Sequence, residues 1–195
     1  MLVLRPRVER WNHDWMRARY VQDLPHLRPD TVIGPDAWII GGEHIHFGEA
    51  VRLGRRARLQ TVRTEADDPS TARIEIGDRV SAEDDCHIGA VGRVVIEADV
   101  LIASHVLILD HGHDYTDAHR PVATQGLVGA GLTIGAGSHI GEGACVLGPL
   151  NLGRHCVIGA GAVVVDDVPD LTVVAGVPAR VIKRYDSTSA TWRRV

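Results

Sequence analysis

The sequence predicts an all-β chain wound as a parallel β-helix with triangular coils, and three observations predict it. Aliphatic residues recur every six positions without a break at Ile134, Ile140, Val146, Leu152, Ile158 and Val164. Glycine follows many of them, at Gly135, Gly141, Gly153 and Gly159, within a chain that holds 21 glycines. Aromatic residues make up only 4%, so large rings do not fill this core. An amphipathic helix needs apolar residues three and four apart, and a lone strand needs every second one, so neither explains a sustained six. A short strand plus a tight corner does: three such units close one coil of about eighteen residues, which rises about 4.8 Å because successive coils pair as parallel strands. Each unit buries its apolar side only against its neighbours, as in other repeat architectures.

Element by element, the chain begins with a 1–30 segment in which Trp11, Trp15, Met16 and Arg19 have helical spacing, so Glu9 to Tyr20 is predicted as a short helix. Pro25 and Pro29 end it. The coils are predicted over 31–174. The period runs through Ile33 and Ile39, then Phe47, Leu53 and Leu59, then Ile76, Ala82 and Ile88, then Ile96, Ile102 and Ile108, with two-residue slips after Ile39 and Ile88. Small residues sit four positions after many of the aliphatics, at Ser138, Ala144, Cys156 and Ala162, where a corner leaves little room; Leu150 breaks that rule. Two stretches lack the period and are predicted to leave the coil, the polar 61–73 segment and the longer 110–131 segment. A loop as long as the second is commonly functional, and it carries His111, His113 and His119. The 175–195 segment closes the coils, with Ser187 to Val195 expected as a ragged tail.

Bulk properties narrow the function classes. A net charge of -4 gives no footprint for nucleic acid, and the arginines from Arg52 to Arg58 read as a solvated face. No stretch is long and apolar enough for a signal peptide or a membrane span, so a soluble cytoplasmic protein is expected. Cys86, Cys145 and Cys156 show no CxxC spacing, which points to free packed thiols rather than disulfides or a zinc site. No GxSxG elbow is present and no cysteine lies in the histidine-rich loop, so no acyl-enzyme nucleophile is apparent.

Three stretches resemble the hexapeptide-repeat acyltransferases: the hexad array from Thr31 to Val165; the run LDHGHDYTDAHRP at 109–121; and VIGAGAVVVDDVP followed by VVAGVPARVIK, within 157–183. The likeness covers residues 31 to 184 and is nearest to sugar O-acetyltransferases of the maltose, galactoside and capsular or colanic-acid type. It implies a left-handed helix, a homotrimer, and acetyl-coenzyme A as acyl donor bound between neighbouring subunits, with no metal. The left hand comes from the resemblance alone, since parallel crossovers are otherwise right-handed.

Residue by residue, the resemblance makes His113 the general base; His111, two residues away, is a candidate orienter or alternative base. The resemblance aligns the acceptor-binding position with Glu83, and the adjoining Asp84 and Asp85, with Tyr115 in the loop, are further candidates for acceptor contact. His139, Gly141, Ala160, Gly161, Arg180 and Lys183 fall at coenzyme-binding positions. Two departures stand out: a frequent family Trp is His139 here, and a frequent Lys is Asp166. O-acylation needs a hydroxyl to lose its proton as it attacks a thioester, and imidazole, with a pKa of roughly 6.5, is suited to take it. The expected reaction is direct acetyl transfer from acetyl-CoA to a hydroxyl of a sugar or glycan precursor. The alternatives are N-acetylation of an amino sugar, a catalytically silent scaffold, or a zinc hydratase resembling the γ-type carbonic anhydrases with ligands among His87, His105, His111 and His113.

Overall fold

A computed structural model of the chain describes residues 24–62 and 72–195. The helix expected over Glu9 to Tyr20 and most of the 61–73 segment lie outside the described residues. The aliphatic period becomes three parallel ladders that form the faces of a prism. The first face stacks Val32–Ile33, Arg52–Leu53, Ser81–Ala82, Leu101–Ile102, His139–Ile140, Val157–Ile158 and Thr172–Ala175. The second stacks Trp38–Ile40, Arg58–Thr61, His87–Ala90, Leu107–Leu109, Cys145–Leu147 and Val163–Val164. The third stacks Ile45–Phe47, Arg73–Ile76, Arg93–Ile96, Leu132–Ile134 and Leu150–Leu152.

The hexad aliphatics point inward, so Leu59, Ile88, Ile108, Val146 and Val164 line one ladder at 0–1% exposure. Burying each such side chain contributes about 1.5–3 kcal/mol before entropy is subtracted. The interior is therefore one continuous column of branched aliphatics, to which Phe47 adds the only phenylalanine.

Leu150 is not a misfit. Strands of the third face bury two residues each, as Leu132 and Ile134 or Leu150 and Leu152, whereas the other faces fill that earlier slot with Ala144, Cys156 or Ala162. The slip after Ile39 is taken up by a 3-10 turn, Gly42–His44.

Two corners are built alike in coil after coil, with one residue in the left-handed region. Between the first and second faces these are Asp36, Arg56, Asp85, His105, Gly143 and Gly161, with φ between 54° and 66°. Asp tolerates that region better than most residues, which explains its use there. The third corner, between the second and third faces, is irregular, and both insertions leave from it.

At the C-terminal end, Arg180–Asp186 turns back antiparallel on Thr172–Ala175, a strand that crosses the boundary expected at residue 174. Ser187 to Val195 is not a ragged tail. Thr191–Arg194 pairs with Arg180–Asp186, Trp192 meets Tyr185 edge-on at 5.5 Å, and Arg193 reaches Asp186 at 2.7 Å. Polar composition hid a hairpin held by backbone pairing and one aromatic contact.

Candidate active site

The long excursion is a rooted structure. Its first strand, His111–His113, pairs antiparallel with Leu127–Gly129, and a 3-10 turn at Val122–Thr124 closes the far end. The loop between them is stitched to itself, with Gln125 Nε2 donating to the carbonyls of Asp117 and Arg120, and Arg120 Nη2 donating to that of Thr124 at 2.6 Å.

The root is Asp110, which is fully buried. Its Oδ1 accepts the Val91 N–H at 2.9 Å and its Oδ2 accepts the Gly92 N–H at 2.9 Å. These two amides lie in the slip after Ile88, where the coil has no partner for them, so the carboxylate supplies what the ladder cannot. His111 Nδ1 lies 3.0 Å from the same Oδ1 and donates to it. That bond fixes the tautomer of His111 and leaves Nε2 as the basic nitrogen. Sequence reasoning missed Asp110, whose only signal was its place at the end of a buried strand opposite a slip.

His111 packs across Gly89 beside His87. A Cβ on Gly89 would lie 3.2 Å from His111 Cε1 and 3.6 Å from His87 Nε2. Burial, helped by Arg58 and His111, pushes the His87 pKa down to about 4, so this ring is neutral near neutral pH. His113 lies two residues beyond His111 and so on the same side of the ribbon, exposed and opposite Leu127. Tyr115, farther out, is 77% exposed.

The acidic triplet divides. Asp84 Oδ1 accepts the Arg55 N–H at 2.8 Å, and Asp85 holds Arg56 in a two-point pair at 2.7 and 2.6 Å from a left-handed corner position. The Arg56 hydrogen bond holds the Asp85 carboxyl below the usual range. Both residues are occupied by the corner. Glu83 is exposed, receives one bond from Ser104 Oγ at 3.1 Å, and keeps its other oxygen available.

The expected coenzyme positions cluster at the upper end of the corner between the first and second faces. Gly141 lets the coils approach, since a Cβ there would lie 2.7 Å from the Ala160 nitrogen. Ala160 and Gly161 are exposed, and nothing lies within 4 Å of a Cβ built on Gly161 or Gly143. The result is a corner at which Gly143, Ala160 and Gly161 present little side chain beside the exposed Glu142, open to a thin extended chain. His139 stands on the adjoining first face with a buried Nδ1 that has no hydrogen-bond partner among the described residues. Arg180 is exposed at the end of the stack, 3.4 Å from Asp166, and Lys183 lies on the same strand, half-buried opposite Val173.

The structure brings His111 and His87 together, with His113 exposed two residues along the same strand as His111, and separately groups Gly141, Ala160 and Gly161. Within one chain these two groups sit at different corners. Among the described residues no three His, Cys, Asp or Glu side chains form a metal-ligand set. His105 occupies a corner 3.9 Å from Asp85, apart from the other histidines.

No family model matches the chain. It is 33% identical over 157 residues to WbbJ of Escherichia coli strain K12, whose name assigns it O-acetyl transfer in lipopolysaccharide biosynthesis; the match covers 77% of this chain and 76% of that protein. Among solved structures it is similar to the hexapeptide-repeat acetyltransferase VCA0836 of Vibrio cholerae O1 biovar eltor, solved with acetyl coenzyme A, at TM-score 0.62 and 18% identity, covering 91% of this chain and 81% of that one. It is also similar to AntD, an N-acyltransferase from Bacillus cereus solved with dTDP and 3-hydroxybutyryl-CoA, at TM-score 0.67 and 16% identity, covering 92% of this chain and 91% of that one. With a relative matched over most of both lengths and solved neighbours that share the left-handed parallel β-helix, the chain belongs to the hexapeptide-repeat acyltransferases and is an acyltransferase enzyme.

Proposed function

We propose that this protein transfers an acetyl group from acetyl-CoA directly to a hydroxyl of a sugar-like acceptor, with His113 as general base. The observation that carries the reading is the hairpin, which holds two imidazoles on one side of a ribbon rooted by a buried carboxylate. The acceptor O–H gives its proton to the His113 imidazole as its oxygen attacks the thioester carbonyl. The tetrahedral intermediate collapses, the carbon–sulfur bond breaks, and the imidazolium returns the proton to the leaving thiolate. Correct placement of such a base contributes about 10²- to 10⁴-fold in rate.

Acetyl-CoA as donor is supported by VCA0836, which was solved with it, and by the corner at Gly141, Ala160 and Gly161, which suits a narrow pantetheine arm. Arg180 and Lys183 are the nearby cations for its phosphates. Because the base and these coenzyme positions occupy different corners of one chain, the site is completed by a neighbouring copy, in keeping with a homotrimer. Glu83 takes the acceptor contact, whereas Asp84 and Asp85 hold the corner. Three free cysteines fit a reducing compartment such as the cytoplasm, and among the described residues no helix is long and apolar enough to cross a membrane.

N-acetylation of an amino sugar is the second reading, favoured by the likeness to the N-acyltransferase AntD. A thiol-release screen of sugars with acetyl-CoA, followed by product mass and hydroxylamine treatment, separates the two. An ester product is cleaved by hydroxylamine and supports O-transfer. An amide survives and replaces it with N-transfer, and no acetylated product from any sugar sinks both.

A further inference from the structure

The outer side of the second face carries a group of residues that the transfer step does not use. Trp38, Arg58 and His87 are successive partners across three coils, Trp38 opposite Arg58 and Arg58 opposite His87. Trp38 remains 54% exposed although the Arg58 guanidinium carbon lies 4.2 Å from its ring centroid. Arg58 Nη2 donates to Gln60 Oε1 at 2.6 Å, while its Nε is buried with no partner among the described residues. Arg56, Arg79 and Arg93 each hold a carboxylate, yet Arg58 holds none among the described residues. It is a cation clamped by an indole and an amide, neither of which neutralises it. His87 adds no charge at neutral pH, and it borders His111 over Gly89.

The strip thus runs from an exposed indole through a guanidinium that has no carboxylate partner among the described residues to the rooted hairpin. Arg58 stands one ladder spacing below His87 and roughly two below the coil that carries the hairpin, a reach of about 10 Å. A guanidinium fixed in this way offers a fork to a phosphate or carboxylate, and an exposed indole suits the apolar face of a sugar ring.

We infer that Trp38, Arg58 and Gln60 form an acceptor subsite for an anionic group carried beyond the sugar hydroxyl that receives the acetyl group, so that the acceptor is an anionic sugar. This rests on the acetyl-transfer reading for its place in catalysis, although binding itself does not.

Equilibrium binding of glucose 1-phosphate, glucuronate and neutral glucose to the intact protein, to Arg58→Gln and to Trp38→Ala tests it. The wild type is expected to bind one or both anionic sugars about tenfold or more tightly than glucose. Arg58→Gln is expected to abolish that preference while leaving glucose and acetyl-CoA binding unchanged, and Trp38→Ala to weaken all three sugars alike. Which anionic sugar is favoured distinguishes phosphate from carboxylate. Equal affinity for charged and neutral sugars, absence of binding, or a preference that survives Arg58→Gln overturns the inference. So does a smaller sedimenting species in either variant, which makes the strip a contact between copies. Charge-selective binding without any acetyl transfer leaves the subsite standing and sinks only the acetyl-transfer reading.

Discussion

Replacing Asp110 tests how the hairpin is held. Asp110→Ala removes a fully buried carboxylate and leaves the Val91 and Gly92 N–H groups, each bonded at 2.9 Å, without an acceptor. Each buried donor left unsatisfied costs about 1–3 kcal/mol, so the two together predict a loss of about 4 kcal/mol. Asp110→Asn keeps one oxygen and turns an NH2 group toward a second donor, for which about 2 kcal/mol is expected. Against a total stability of about 5–15 kcal/mol these are large fractions. The assay is urea unfolding followed by far-UV circular dichroism at one fixed protein concentration, because association would otherwise shift the midpoint. In the Asn variant kcat is expected to fall while KM for acetyl-CoA holds, since a neutral amide oxygen holds the His111 Nδ1–H more weakly than the carboxylate does and the corner at Ala160 is untouched. An Asn variant within about 0.5 kcal/mol of the wild type and with full kcat would refute the rooting argument.

Two further outcomes follow from the same cluster. Gly89→Ala puts a Cβ 2.7 Å from Leu109 Cδ2 and 3.2 Å from His111 Cε1, both side-chain atoms that can shift, so about 1–2 kcal/mol of stability is lost while turnover falls through displacement of His111; a melt and a kcat measurement check it. The His87 pKa lies near 4 in the folded chain and about 6.5 unfolded, so the unfolded state binds the extra proton between those values. The stability His87 contributes is therefore present above about pH 6.5 and is lost as pH falls toward 4, and in urea midpoints measured across that window His87→Asn is expected to flatten the decline.

The coil was legible because one inward position in six must be apolar whatever its partners are, so the requirement appears directly as a period at Ile134, Ile140 and Val146. The hairpin was legible as a gap in that period, and the histidine-rich motif within it is what singles out His113 as the candidate base. Leu150 was misjudged because the third face buries two residues per strand, a difference between faces that a single six-residue template averages away. Asp84 and Asp85 look like binding residues in a string, yet what decides their role is a left-handed corner repeated at Asp36, Arg56 and His105, spaced unevenly by the insertions. Asp110 was invisible because its value lies in two amides 18 and 19 residues earlier that no pattern marks as unpaired. Trp38, Arg58 and His87 are neighbours only once the slips and insertions are laid in register.

The central claim is that the His113 imidazole removes the acceptor's proton, and steady-state thiol release with acetyl-CoA and an acetylatable sugar measures it most directly. His113→Ala is predicted to turn over about a hundredfold or more slowly than the wild type, with an unchanged circular dichroism spectrum and an unchanged sedimenting species. Near-wild-type turnover in that variant would contradict the account.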